Sequence, residues 1–133
     1  MKSIVYALGI IILINGITGC SHRAHIYNVE NHPLPPEAQR MANQEIGQKI
    51  SQVVYKRDWS CNQQTPNSLM CHIDKRNHQA CVKIEYTQYH FSIHNMNTSH
   101  LGQKCGEIHP KYNKWIKIME KDIVKAMSQE NCL

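Results

Sequence analysis

The chain has 133 residues, 41% of them hydrophobic, with 15 Lys and Arg against 10 Asp and Glu, for a formal net charge of +5. That length suits one small domain with a core of its own and excludes a second. The modest charge permits attraction to lipid headgroups, acidic glycans or nucleic acid without demonstrating any of them; nucleic acid is not among the expected partners. No cysteine spacing matches a zinc ribbon or a redox Cys-x-x-Cys.

At the N-terminus, Lys2 precedes an uncharged apolar run over residues 4–14, broken by Asn15, Gly16 and Thr18. The run is shorter than the about 20 apolar residues of a spanning helix. A positive start, a short apolar core and small residues before a cut make a secretory signal. Its end, Ile17-Thr18-Gly19-Cys20, resembles the bacterial lipobox: an aliphatic residue, a small residue, Gly or Ala, then Cys. The resemblance implies a diacylglyceryl group on the Cys20 thiol, cleavage before Cys20 and acylation of the new amine. Chemistry requires Cys there because a thiolate is the nucleophile for alkylation by a lipid donor. Each buried methylene contributes about 0.8 kcal/mol, so one chain holds marginally and two or three hold durably. The expected organisation is a cleaved signal over 1–19, a lipidated tether over 20–24 and one domain over 25–133. Ser21, rather than Asp, follows the Cys, and by resemblance to the lipoprotein sorting rule this implies the outer membrane, facing the periplasm. An ordinary secreted protein or an uncleaved membrane stub is the competing reading. The lipid on Cys20 is the one non-protein group expected, with no cofactor and no metal.

Residues 26–29 read as a first strand, stopped by the Pro33, Pro35 and Pro36 cluster, since proline cannot donate to a ladder. Pro36 and Glu37 suit a helix start. From there Ala38, Met41, Ala42, Ile46, Ile50, Val53 and Val54 recur at three- and four-residue steps, predicting one amphipathic helix to about Lys56. Gly47 inside it marks a close packing point. Residues 58–67 read as a loop, with Trp59 capping the core. Strands are predicted over 68–73 and 80–86, joined by a polar turn over 74–78. In the second, Ala80, Val82, Ile84 and Tyr86 alternate with Cys81, Lys83 and Glu85 at period two. A bend at 87–89 returns the chain over 90–95, with Phe91 and Ile93 inward and Ser92 and His94 outward. After a polar loop, a last helix runs from about Pro110 to Met127. Its apolar arc is Tyr112, Trp115, Ile116, Met119, Ile123, Ala126 and Met127. The order β-α-β-β-β-α predicts the α+β class: a small antiparallel sheet with two helices packed on one face and the other face open.

In the C-terminal half, Val82-Lys83-Ile84-Glu85-Tyr86, Phe91-Ser92-Ile93, Ser99-His100-Leu101 and Ile108-His109-Pro110-Lys111-Tyr112-Asn113-Lys114-Trp115-Ile116 follow one another. This succession resembles a group of small bacterial lipoproteins, over roughly half of the residues after Cys20. The resemblance implies fold and location and carries no enzymatic activity.

Cys71 and Cys81 flank the predicted turn symmetrically about Arg76, so a cross-strand disulfide between them is expected, with a redox or metal pair as the functional alternative. Cys61 and Cys105 form a further possible pair, leaving Cys132 over. His90 and His94 share a strand face about 13 Å apart, too far for one metal ion. Cys71, Cys81 or Cys105 with a nearby His defines the alternative reading, a periplasmic metal-binding or thiol-redox module. On the last helix Lys111, Lys114, Lys117, Lys121 and Lys125 fall opposite the apolar arc. With His109 they form the candidate binding surface for another envelope protein or an anionic envelope component, against the plain alternative of a solvated helix face. No nucleophile elbow, phosphate-binding Gly loop or His-Glu-x-x-His signature is found, so the expectation is a non-catalytic, envelope-anchored interaction or structural module.

Overall fold

The computed structural model describes residues 24–76, 78–97, 107–108 and 110–128. Among them run β1 (Ala24–His25), β2 (Val29–Pro33), a 3-10 turn (Pro36–Arg40), α1 (Asn43–Tyr55), β3 (Ser60–Thr65), β4 (Ser68–Lys75), β5 (His78–Tyr86), β6 (His90–Asn97), β7 (Glu107–Ile108) and α2 (Pro110–Ser128). Strands β2-β6-β5-β4-β3 form one open antiparallel sheet, and β1 pairs with β7 in a separate two-stranded ribbon. The expected α+β class is therefore observed.

Alternation along β4, β5 and β6 builds the core. Leu69, Cys71, Ile73, Ala80, Val82, Ile84, Tyr86, Phe91 and Ile93 point to one face and are buried. Ile46, Ile50 and Val54 of α1 join them in one cluster with Tyr112, Ile116, Met119, Ile123 and Met127 of α2. On the opposite face His72, Asp74, Gln79 and Glu85 are exposed. That face is open.

Three boundaries differ from the sequence reading, each for a local reason. The first sheet strand lies over Val29–Pro33 instead of 26–29. As an edge strand it accommodates Pro33 at its end, and Asn31, at φ 44°, kinks it with a register shift between Val29 and His32. The single helix expected over 36–56 is divided, because Met41 (φ −98°, ψ 144°) and Ala42 (φ −69°, ψ 152°) are extended between the 3-10 turn and α1. Most of the segment expected as a loop is strand β3. Its Asn and Gln residues face solvent at the sheet's edge, so no hydrophobic alternation betrays it.

The end of α1 shows how Trp59 reaches the core. Asp58 adopts φ 70°. Its N–H donates to the Tyr55 carbonyl at 3.0 Å, and Trp59 N–H donates to the Val54 carbonyl at 3.2 Å. This is a Schellman closure with a non-glycine residue in the left-handed position, and the accompanying apolar contact falls to Trp59 and Val54, both buried. Gly47 is the close packing point expected of it. A Cβ there would collide with the Tyr86 hydroxyl and lie 3.0 Å from its Cζ.

The expected Cys71–Cys81 disulfide is not formed; Cys71 is bonded to Cys61, with Cα atoms 4.0 Å apart. Register decides this. The β4–β5 hairpin closes at Lys75 opposite His78, with Arg76 at φ 51°, as a two-residue turn with positive φ requires. Cys71 then faces Val82 while Cys81 faces His72, so the two thiols lie on opposite faces of the sheet. Cys61 lies directly across from Cys71 on β3.

Candidate interaction surface

Helix α2 begins at Pro110, where a missing N–H costs nothing, and Tyr112, Ile116, Met119, Ile123 and Met127 of its apolar arc are buried, with Trp115 and Ala126 half-buried. Lys114, Lys117, Lys121 and Lys125 are exposed along the opposite side. Spacings of three and four residues place them in one row, where like charges disfavour the helix by about 0.2–0.5 kcal/mol per pair. Neither acidic residue of α2 forms an ion pair with them. Asp122 holds Arg57 at 3.0 Å. Glu120 accepts the Tyr27 hydroxyl at 2.7 Å and lies 3.5 Å from His32 Nε2. Among the described residues no carboxylate pairs with Lys114, Lys117, Lys121 or Lys125. Lys111 differs from these four: it is half-buried, its ammonium 5.5 Å from the centre of the Trp115 ring.

The chain reaches this helix along a fixed path. The Tyr27 N–H donates to Asn113 Oδ1 at 2.9 Å, and Asn113 Nδ2 donates to the His25 carbonyl at 2.6 Å. Lys117 lies 5.2 Å over the Tyr27 ring. The hydrogen bond to Glu120, then burial and the charge of Glu120, raise the Tyr27 phenol above its ordinary pKa of 10.0. Ala24 pairs with Ile108, just before α2. The N-terminal segment is thereby laid along the flank of α2, beside its lysine row.

Between α1 and α2 a groove of about 570 Å³ is rimmed by Lys49, Lys56, Arg57 and Lys125, with Asp122 as the one acid of its lining. It extends the cationic side of the molecule from α2 onto α1. The open sheet face has mixed charge instead. His94 Nε2 meets Glu30 at 2.7 Å and its Nδ1 lies 4.0 Å from Glu85, while Lys83 pairs with Glu85 at 3.4 Å. Lys83 faces His94 across the strands. Cys81 is a free, half-buried thiol whose pKa is raised by burial, and His72 is its cross-strand neighbour. No cluster of three or more His, Cys, Asp or Glu side chains with metal-binding proximity occurs among the described residues.

The structure thus gathers Lys114, Lys117, Lys121 and Lys125 into one surface and separates Cys71 from Cys81. Cys20, Cys105, His109 and Cys132 lie outside the described residues, as do the signal over 1–19 and most of the tether over 20–24. The sequence reading gave no role to Tyr27 or Glu120 and did not anticipate that Asn113 binds the N-terminal segment. Asn113 carried a signal: a poor helix former placed between Tyr112 and Ile116 on the buried arc needs a partner for its amide. Comparison with protein families, with curated proteins and with solved structures finds no match to this chain.

Proposed function

We propose that this protein is an envelope-anchored bacterial lipoprotein, held by lipid on Cys20 at the periplasmic side of the outer membrane, whose domain is a non-catalytic interaction or structural module. One observation carries the reading. The segment that follows the lipobox-like Ile17-Thr18-Gly19-Cys20 is bound by Asn113 and Glu120 against α2, the helix whose lysine row has no carboxylate partner among the described residues. A chain anchored through residue 20 thus delivers a ready cationic surface close to its anchor.

The alternative, a metal-binding or thiol-redox module using Cys71, Cys81 or Cys105 with a nearby His, draws on a narrower base. Cys71 is occupied by Cys61, and the open face offers Cys81 opposite His72.

The test is expression in a bacterium followed by membrane fractionation and mass measurement of the N-terminal peptide, for the wild type and Cys20→Ala. The wild type is expected in the membrane fraction with acyl chains on Cys20, and Cys20→Ala is expected uncleaved and without lipid. A wild-type chain released to the soluble fraction with an unmodified Cys20 would sink the reading.

A further inference from the structure

We propose that the lysine row of α2 docks on the anionic phospholipid headgroups of the bilayer in which the protein's own lipid is seated, and that the open face of the sheet is turned away from that bilayer. This deepens the reading above and rests on lipidation of Cys20.

Three features carry it. The first is reach. From Cys20 to Ala24 a fully extended chain covers at most about 14 Å, and Ala24 is fixed opposite Ile108 at the start of α2. Lys114 follows one turn into the helix, and Lys117 packs on Tyr27 of the same entering segment. A lipid on Cys20 therefore holds these lysines near the headgroups, where attraction acts over a Debye length of about 8 Å.

The second feature is charge complementarity. The row from Lys114 to Lys125, about 16 Å long, is cationic and makes no ion pair with a carboxylate among the described residues. Asp122 pairs with Arg57, and Glu120, which lines one groove with Lys117, Lys121 and Lys125, turns to the Tyr27 hydroxyl and His32. The groove lined by Lys49, Lys56 and Lys125 continues the same sign along α1. On the opposite side of the domain Glu30, Glu85, Lys83 and His94 pair among themselves. An anionic plane attracts the first side and is indifferent to the second.

The third feature is geometry. Both helices cover the inner face of the sheet, so the outward side of α2 and the open face of the sheet lie on opposite sides of the domain. Docking through one necessarily presents the other, with its Cys81–His72 pair, to the periplasm.

The experiment uses the full lipidated chain, purified from membranes and placed in vesicles of phosphatidylcholine alone or of phosphatidylcholine mixed with phosphatidylglycerol. A water-soluble amine-acylating reagent is added, and each lysine's labelling rate is read by peptide mass mapping. Lys114, Lys117, Lys121 and Lys125 are expected to label at least about fivefold more slowly in the anionic vesicles, with the protection lost at high salt. Lys75 and Lys83 should label alike in both. Equal rates for the α2 lysines in the two vesicle types would overturn the proposal, as would protection that also occurs in neutral vesicles. Protection seen in native envelopes but not in anionic vesicles would overturn it in favour of a protein partner. The same spectra weigh the N-terminal peptide. Absent acyl chains remove the lipidation on which the proposal rests, whereas lipid present with unprotected lysines removes the docking alone.

Discussion

Asn113 joins the N-terminal segment to α2 through Tyr27, 86 residues away in sequence, and its amide is used at both ends: the oxygen accepts from Tyr27 N–H and the nitrogen donates to the His25 carbonyl. Asn113 is itself buried. Asn113→Ala leaves main-chain groups of the segment unpaired, so it is expected to destabilise the domain by about 1–3 kcal/mol. Hydrogen exchange at the Tyr27 amide should accelerate beyond what the global loss explains, because this bond ties down the segment locally. Unchanged exchange at Tyr27 would mean that β1 and β7 hold the segment without Asn113.

Gly47→Ala reverses the usual sign of such a change. In an exposed helix Ala is favoured over Gly by about 1 kcal/mol. Here the added methyl meets Tyr86, whose hydroxyl is bonded to Gln63 at 2.9 Å, in a core that cannot yield freely. Gly47→Ala is expected to cost about 1–3 kcal/mol in urea unfolding. The penalty should shrink in a Tyr86→Phe background, which removes the atom in closest conflict, and a double-mutant cycle isolates that coupling.

Disulfide mapping of the oxidised chain should return Cys61–Cys71, with a 10-residue separation, and leave Cys81 outside that bond. Replacing Cys61 and Cys71 together by Ser is expected to cost about 2–3 kcal/mol, and more if the Cys71 site, 0% exposed, tolerates a hydroxyl poorly. Cys81→Ser should change stability little, because the side chain is only half-buried. Recovery of a Cys71–Cys81 peptide would require a β4–β5 register one residue away from that observed.

Stability should fall in alkali. Burial raises Tyr112 from its ordinary 10.0 to about 12, outweighing the opposing effect of Asn95. Tyr112 Oη and Asn95 Nδ2 are both buried, and neither has a hydrogen-bond partner among the described residues. Below about pH 10 the phenol is neutral in folded and unfolded chains alike. Above it the unfolded chain ionises first, so stability present at neutral pH is lost as the pH climbs through about 12. The shift corresponds to about 2–3 kcal/mol. Tyr27, raised by Glu120, acts in the same direction. Urea unfolding at successive pH values should show a shallower alkaline decline for Tyr112→Phe than for the wild type. Parallel curves would assign the decline to other groups.

Periodicity made much of this molecule legible. The buried arc of α2, the alternation of β5 and β6 and the α+β class all follow from which residues must leave water, a condition written at intervals of two or of three and four. The lysine row followed from the same arithmetic. Strand β3 was not legible because an edge strand of Asn and Gln earns its place through main-chain hydrogen bonds, which leave no pattern in side-chain polarity. The divided helix over 36–56 was hidden because its apolar spacing runs on across Met41 and Ala42, where the backbone is extended.

By itself the sequence determined the class of fold, the face each core residue takes and the cationic side of α2, because these depend on local periodicity and on charge. Tertiary structure alone decided the disulfide and the placing of the N-terminal segment. A one-residue difference in hairpin register moves a side chain to the other face of the sheet. That register depends on Arg76 adopting φ 51°, which no count of spacings from Cys71 to Cys81 contains. Likewise, Asn113 and Glu120 hold His25 and Tyr27 only because the fold brings the start of the domain back against its last helix.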